Sequence, residues 1–202
     1  MLLDADESQL LLVDYQSRLM PSIHEGALVL RNALRLARVA QLLDVPAWGT
    51  EENPLGLGEN PAELRALCRT TLAKMHFDAV EDGLTPLLRA PARAPQQGGN
   101  ARSLPKHLQK APQSGPERNS IVVAGCEAHV CLMQTALGLL EEEFEVWVVT
   151  DACSSRTERN RDAAFDRLAG AGAELVTTEM VAFEWLRTAE HPLFKQALTL
   201  IK

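Results

Sequence analysis

The chain has no long apolar run, no excess of positive charge, and none of the short motifs that announce a nucleotide or a metal. No stretch approaches the ~20 consecutive apolar residues that a membrane-spanning helix needs, so a membrane partner is not expected. The formal net charge of -7 has the wrong sign for general affinity toward nucleic acid or anionic lipid, both of which attract basic surface. The opening residues, MLLDADESQ, are acidic and lack the basic and apolar regions of a signal peptide. Four cysteines in 202 residues, without such a signal, do not indicate a disulfide framework. They read as reduced thiols, and a cytoplasmic location is the expectation.

Further absences narrow the chemistry. There is no GxGxxG after the first strand-like run, no GxxxxGK[ST] and no GxSxG, so neither a dinucleotide, a nucleoside triphosphate nor a serine nucleophile is announced. The histidines, His24, His76, His107, His129 and His191, are scattered, with no HExxH and no cysteine–histidine spacing suited to zinc. No metal and no organic cofactor are expected.

What is present is an ordinary globular mixture, 46% hydrophobic and 23% charged, in a length that fits one domain over 1–202. SQLLLVDY reads as a buried first strand, VPAWGT as a second, TTLAK as a third, SIVVAG as a fourth, FEVWVVT as a fifth and AELVT as a sixth. Helical spacing of apolar residues runs from Glu25 to Leu43, from Val130 to Glu143 and from Glu158 to Ala171. Shorter helices are expected around ENPAELRALC, Val181 to Thr188 and Pro192 to Ile201. Short Val- and Leu-rich strands alternating with helices imply an α/β fold, a three-layer α/β/α sandwich around a Rossmann-like parallel sheet of about six strands. In such a sheet, sites lie outside the carboxyl ends of the strands where the winding reverses.

Residues 91–118, PARAPQQGGNARSLPKHLQKAPQSGPER, break this rhythm with five prolines and three glycines and no period. They read as a surface insertion, basic within an acidic chain, carrying Arg93, Arg102, Lys106, Lys110 and Arg118 against Glu117.

Three side chains fall where chemistry would sit. Asp14 ends the first strand, Lys74 ends the third, and Cys131 opens the helix after the fourth. With the reversal between strands one and four, Asp14 and Cys131 become neighbours. Each has a purely structural alternative: a buried small hydrophobe for the cysteine, a turn residue for the aspartate, a solvated lysine. Spacing alone does not choose.

The segments LLLVDYQSRLMPSI, GTEENPLGLG, AKMHFDA and VVAGCEAHVCLMQTALGLLEEEFEVWVVTDACSSR, with EMVAFEWL and HPLFKQALTLIK, do choose. Together they resemble the isochorismatase-like family of cysteine hydrolases, in its isochorismatase-domain-containing branch, over most of the chain outside 91–118. The resemblance implies a catalytic triad of Asp14, Lys74 and Cys131. It also implies a non-proline cis peptide at Cys126–Glu127, with the amides of Glu127 and Cys131 facing a developing oxyanion. A helix N-terminus and a neighbouring ammonium would favour the Cys131 thiolate, which makes Cys131 the expected most reactive thiol. Cys68 and Cys153 are left to packing.

The implied activity is cysteine-dependent hydrolysis of a small-molecule C–N bond, amide-like, through a thioester and without a cofactor, in a homo-oligomer with no nucleic-acid partner. Metal-binding nicotinamidases of the superfamily carry an aspartate and paired histidines after the second strand, where this chain has TEENPLGLG. Asp78 stands where relatives often have a serine after Phe77, and Asn53 where an aromatic is common. Glu51, Asn53, Phe77 and Asp78 are the expected pocket residues, Glu51 either meeting a substrate amine or serving a structural hydrogen bond. His129 is expected to support the site or lie on the surface. Two rival readings stay open: a nicotinamidase-like deamidase, and a catalytically idle oligomeric binding or scaffold protein.

Overall fold

A computed structural model of the chain describes residues 1–90 and 118–202. The proline- and glycine-rich insertion lies outside the described residues except for Arg118. That residue belongs to the folded body: its guanidinium Nη1 donates to the carbonyls of Ala5 and Ser8, and its own carbonyl accepts from Gln9 Nε2.

Six strands, β1 (Ser8–Val13), β2 (Ala47–Glu52), β3 (Thr71–Lys74), β4 (Ser120–Gly125), β5 (Glu145–Val149) and β6 (Glu174–Val176), form one sheet in the order β3-β2-β1-β4-β5-β6. Every pairing is parallel. The three central strands are buried along their whole length, because helices cover both faces. This explains their near-continuous apolar character. The edge strand β3 is only partly covered.

Helix α1 (Gly26–Leu42) turns Val29, Ala33, Leu36, Ala37 and Ala40 inward and packs on α3 (Ala62–Leu67), α7 (Thr178–Leu186) and α8 (Phe194–Ile201). Right-handed crossovers put α5 (Met133–Glu141) and α6 (Glu158–Gly170) on the opposite face, where α5 meets β5 and α6. Thr157 and Thr177 cap α6 and α7, each accepting an N–H from the helix's first turn. Two short helices, α2 (Pro54–Leu57) and α4 (Leu84–Arg89), lie below the length at which periodicity is readable. The helix expected from Val130 opens instead as a π-helical turn, Ala128–Leu132, running into α5.

The chain winds outward from β1 through β2 to β3, returns to β4 beside β1, and winds outward again. Val13 pairs with Gly125 at the carboxyl end of that seam. A Cβ on Gly125 would stand 2.6 Å from Val13 Cβ and 2.9 Å from Val13 Cα, so only glycine lets the two strand ends approach this closely.

Gly125→Ala is therefore expected to destabilise the fold by about 1–3 kcal/mol, the range for overpacking a closed site. Gly170, which ends α6, has nothing within 4 Å of an added Cβ. Gly170→Ala is expected to be neutral or to stabilise by up to about 1 kcal/mol. Denaturant midpoints of the two variants, measured side by side, check the contrast.

Candidate active site

The carboxyl ends of β1, β3 and β4 deliver three of the sequence-selected residues to one place. Asp14 leaves β1 with a positive φ of 53°, a region that aspartate tolerates better than most residues. Its N–H donates to Thr50 O at 3.2 Å. Its carboxylate is fully buried and held at both oxygens: Oδ1 accepts from Thr50 Oγ1 at 2.6 Å, and Oδ2 lies 2.9 Å from Lys74 Nζ. The Oδ2 contact is an ion pair without aligned hydrogen-bond geometry, so this oxygen keeps accepting capacity.

Lys74, the last residue of β3, has a side chain with no solvent exposure. Besides Asp14 it meets Glu52 Oε2 at 2.9 Å and the carbonyls of His76 and Phe77 at 3.2 and 3.4 Å. Burial alone would lower its pKa. The Asp14 carboxylate, then that of Glu52, outweigh burial and hold Lys74 charged, above its ordinary range.

Cys131, on the π-helical turn, is buried. Its Sγ and one carboxylate oxygen each of Asp14 and Glu52 lie within 4.8 Å of one another. Burial first, then the negative charge of Asp14, push the thiol far above its usual range, and Lys74 offsets only part of this. Burial and the Asp14 charge thus work against the thiolate that the helix start and Lys74 favour. Cys68 is less perturbed, pushed up to about 11 mainly by burial, and Cys126 is pushed up to about 12 by burial. Acidity does not single out Cys131; the adjoining Asp14 and Lys74 do.

Glu52 is the site residue that sequence reading missed. The second strand was expected to end at Thr50, but it continues to Glu52. Alternation along a strand puts Thr50 and Glu52 on one face and Glu51 on the other. Glu51 accordingly accepts the Asn60 N–H at 2.8 Å and lies 3.6 Å from Arg65 Nε, the structural arrangement of its two expected roles. Glu52 takes the place beside Lys74. Asp14, Glu52 and Cys131 offer three donor atoms of the kind that bind metals, but the Lys74 ammonium contacts both carboxylates directly. A cation would have to displace it.

The other expected pocket residues are spread around this centre. Asn53 adopts a left-handed conformation at the start of α2, with its N–H on Lys74 O and its amide over Gly56. Phe77 contributes its carbonyl to Lys74 while its ring is half exposed. Asp78 accepts the Val80 N–H and packs against Gly138 of α5, where a Cβ would stand 2.9 Å from its Cγ. Burial raises its carboxyl above the usual range, with Glu81 and Glu141 adding to the effect while the Val80 N–H and Lys74 oppose it.

The Cys126–Glu127 peptide is cis. Around it, Cys126 N–H donates to Val13 O, Ala128 N–H to Ser154 O, and Val130 and Leu132 N–H to Glu127 O. The Glu127 carboxylate is clamped by Arg156 through its backbone N–H, Nε and Nη2 at 3.0, 3.0 and 2.7 Å. Burial opposes the charge on Glu127, but these bonds outweigh it and hold the carboxyl below the usual range. His129 is engaged at both ring nitrogens, by Ser155 Oγ at 2.9 Å and Asn160 Nδ2 at 3.3 Å. It braces the loop rather than joining the cluster.

The six-stranded parallel sheet gathers an aspartate, a lysine and a cysteine at its switch point, and comparison with known proteins gives the family. The isochorismatase domain model matches residues 8–180, and the chain belongs to that family. It is 34% identical over 197 residues to isochorismatase domain-containing protein 2A of Mus musculus, covering 98% of this chain and 84% of that protein. Among solved structures it resembles MAR1 ribonuclease from Caenorhabditis elegans, with a TM-score of 0.82 and 27% identity over 100% of this chain and 92% of that one. It also resembles the YcaC gene product of Escherichia coli, described as an octameric hydrolase of unknown specificity. That match has a TM-score of 0.79 and 27% identity over 100% of this chain and 89% of that one.

Removing Lys74 would leave Asp14 and Glu52 buried without a counter-ion. Lys74→Met is expected to cost about 3–5 kcal/mol at neutral pH, the range for breaking a buried pair from one side. The sign of the pH dependence follows from linkage. In the wild type the raised lysine contributes its stability fully below its ordinary value of 10.5, losing it only as pH rises through the folded value. In the variant that contribution is absent, so the deficit is expected to stay level from about pH 6 to about pH 9 and to shrink only as pH rises beyond 10.5. Thermal melts of both proteins across that interval check this.

Proposed function

We propose that the chain is a cysteine-dependent hydrolase of a small-molecule, amide-like C–N bond, with Asp14, Lys74 and Cys131 as its catalytic residues. The observation that carries this reading is the Lys74 ammonium, 2.9 Å from Asp14 Oδ2, in a cluster that also takes in the buried Cys131 thiol. In this reading Asp14 takes the Cys131 proton as Sγ attacks the carbonyl carbon. Lys74 stays against Asp14 until then and offsets part of the charge that develops on sulfur.

The tetrahedral oxyanion is received by the N–H groups of Glu127 and Cys131. Glu127 N–H is not drawn into the backbone bonds that tie its neighbours, and N–H groups in a helix's first turn have no intrahelical acceptor. One such donor is worth about 2.7–4 kcal/mol in the transition state of other acyl-transfer enzymes. Collapse breaks the C–N bond, and Asp14 hands its proton to the departing nitrogen. A thioester on Sγ remains. Water then attacks it, giving a proton to Asp14, and the acid leaves as Sγ recovers that proton.

A homo-oligomer belongs to the same proposal. The Escherichia coli relative is described as octameric, and Leu55, Met75 and Phe77 near the carboxyl ends of β2 and β3 are 94%, 66% and 50% exposed, apolar area that a second copy would cover. The ribonuclease designation stays with the nematode protein. A cluster of two carboxylates on one ammonium is poorly suited to a polyphosphate chain. No helix among the described residues is long and apolar enough to cross a membrane.

A panel of small primary amides, ureas and lactams, assayed for ammonia or acid release, tests the reading. At least one is expected to turn over, with Cys131→Ala at least about a thousandfold slower, as when other covalent nucleophiles are removed. Turnover that survives Cys131→Ala would contradict the thioester route. Inertness toward the whole panel, with Cys131 unreactive, would favour the idle scaffold.

A further inference from the structure

Glu52 stands apart from the residues that the hydrolase mechanism needs, yet it is as carefully held as they are. Gln16, itself fully buried, grips both backbone groups of Glu52: its Nε2 donates to Glu52 O at 2.8 Å, and its Oε1 accepts the Glu52 N–H at 2.9 Å. Lys74 takes one carboxylate oxygen at 2.9 Å. The other has no protein partner among the described residues. Within the cluster, the Asp14 and Lys74 side chains have no exposure, whereas the Glu52 side chain is 10% exposed and Cys131 is 6% exposed. An incoming molecule therefore meets Glu52 and Cys131 first.

The charges in this cluster do not balance. Asp14 and Glu52 bring two negative charges against the single positive charge of Lys74. Basic side chains on the neighbouring elements are engaged elsewhere: Arg65 with Glu59 and Glu51, Arg156 with Glu127, and Arg18 with the carbonyls of Leu55 and Gly56. Asp78, half-buried and within electrostatic reach of Lys74, adds no positive charge. Buried charge without a counter-ion is costly, and attack by Cys131 moves further negative charge onto sulfur and then onto oxygen.

We propose that Glu52 is the specificity-determining residue of this site: with Asp14 it leaves the cluster one negative charge in excess, and the missing positive charge is brought by the substrate, as an ammonium or amidinium group near the scissile amide. The inference rests on the hydrolase reading above for its chemistry. With such a substrate bound, the cluster and ligand together are neutral while the thiol proton moves to Asp14. Anionic amides are rejected by the same charge.

The test reads the charge preference of Cys131 without relying on turnover. In a Cys68→Ser background, Cys131 is modified with 2-aminoethyl methanethiosulfonate, a cation, and 2-sulfonatoethyl methanethiosulfonate, an anion. Site-mapped rates are referred to those of a simple free thiol. The cationic reagent is expected to react at least about tenfold faster, and Glu52→Gln is expected to shrink that ratio by about tenfold, the effect of roughly one unit of differential charge stabilisation. Glu52→Asp, which keeps the charge, is expected to retain the preference and guards against a folding artefact in the glutamine variant. Equal rates for the two reagents, a ratio unchanged in Glu52→Gln, or a Cys131 that neither reagent reaches would each overturn the proposal. A matched pair of amides, glycinamide and malonamate, then separates the two readings. A cation preference in labelling with no turnover anywhere in the wider panel sinks the hydrolase reading alone, whereas hydrolysis of the pair without preference for glycinamide sinks this one.

Discussion

One ammonium group, Lys74 Nζ, carries the organisation of this site. It lies 2.9 Å from a carboxylate oxygen of Asp14 and 2.9 Å from one of Glu52, with no exposure of its own. Without it two acids would be buried beside a thiol with nothing to hold their charge. With it, Asp14 is kept as a base next to the one atom whose proton it would take. Buried ion pairs seldom add stability over well-packed apolar residues. A cluster of this kind at the mouth of a sheet therefore fits a chemical use better than a structural one.

The fold places that ammonium by topology. Asp14 follows β1, Glu52 ends β2, Lys74 ends β3 and Cys131 opens the turn after β4. These four strands are adjacent in the order β3-β2-β1-β4, so their carboxyl ends form one edge. The winding reversal between β1 and β4 leaves no crossover helix over the seam, which is why crevices form there in open α/β sheets. Gly125 closes the seam, Thr50 orients Asp14, and Gln16 pins the backbone of Glu52. Arg156 holds Glu127 on the far side.

Much of this was legible in the sequence because it is written in local patterns. The six strand-like runs and the helices of 25–43 and 158–171 appear within a residue or two of their observed positions, since burial on both faces makes the inner strands almost uniformly apolar. Asp14, Lys74 and Cys131 were found from strand ends and the motifs around them. Glu52 was not found, because the second strand was cut at Thr50 and the choice between two adjacent acids depends on strand register. Extending the strand by two residues would have put Glu52 on Thr50's face. The balance of effects on Cys131 is legible only in part. Helix position and a lysine argue for a thiolate, but burial and the nearby Asp14 carboxylate, which prevail, are tertiary facts. Arg118, counted with the insertion from its composition, turned out to be tied to the start of β1.

The central claim is that Cys131 waits as a thiol, held neutral by burial and by Asp14, and gives up its proton only as it attacks. Ultraviolet absorbance of the thiolate reports this directly, as the difference between the wild type and Cys131→Ser through a pH titration. The account predicts no Cys131 thiolate at neutral pH, and its appearance only well to the alkaline side of an ordinary cysteine. A thiolate band present at neutral pH and absent from Cys131→Ser would contradict it.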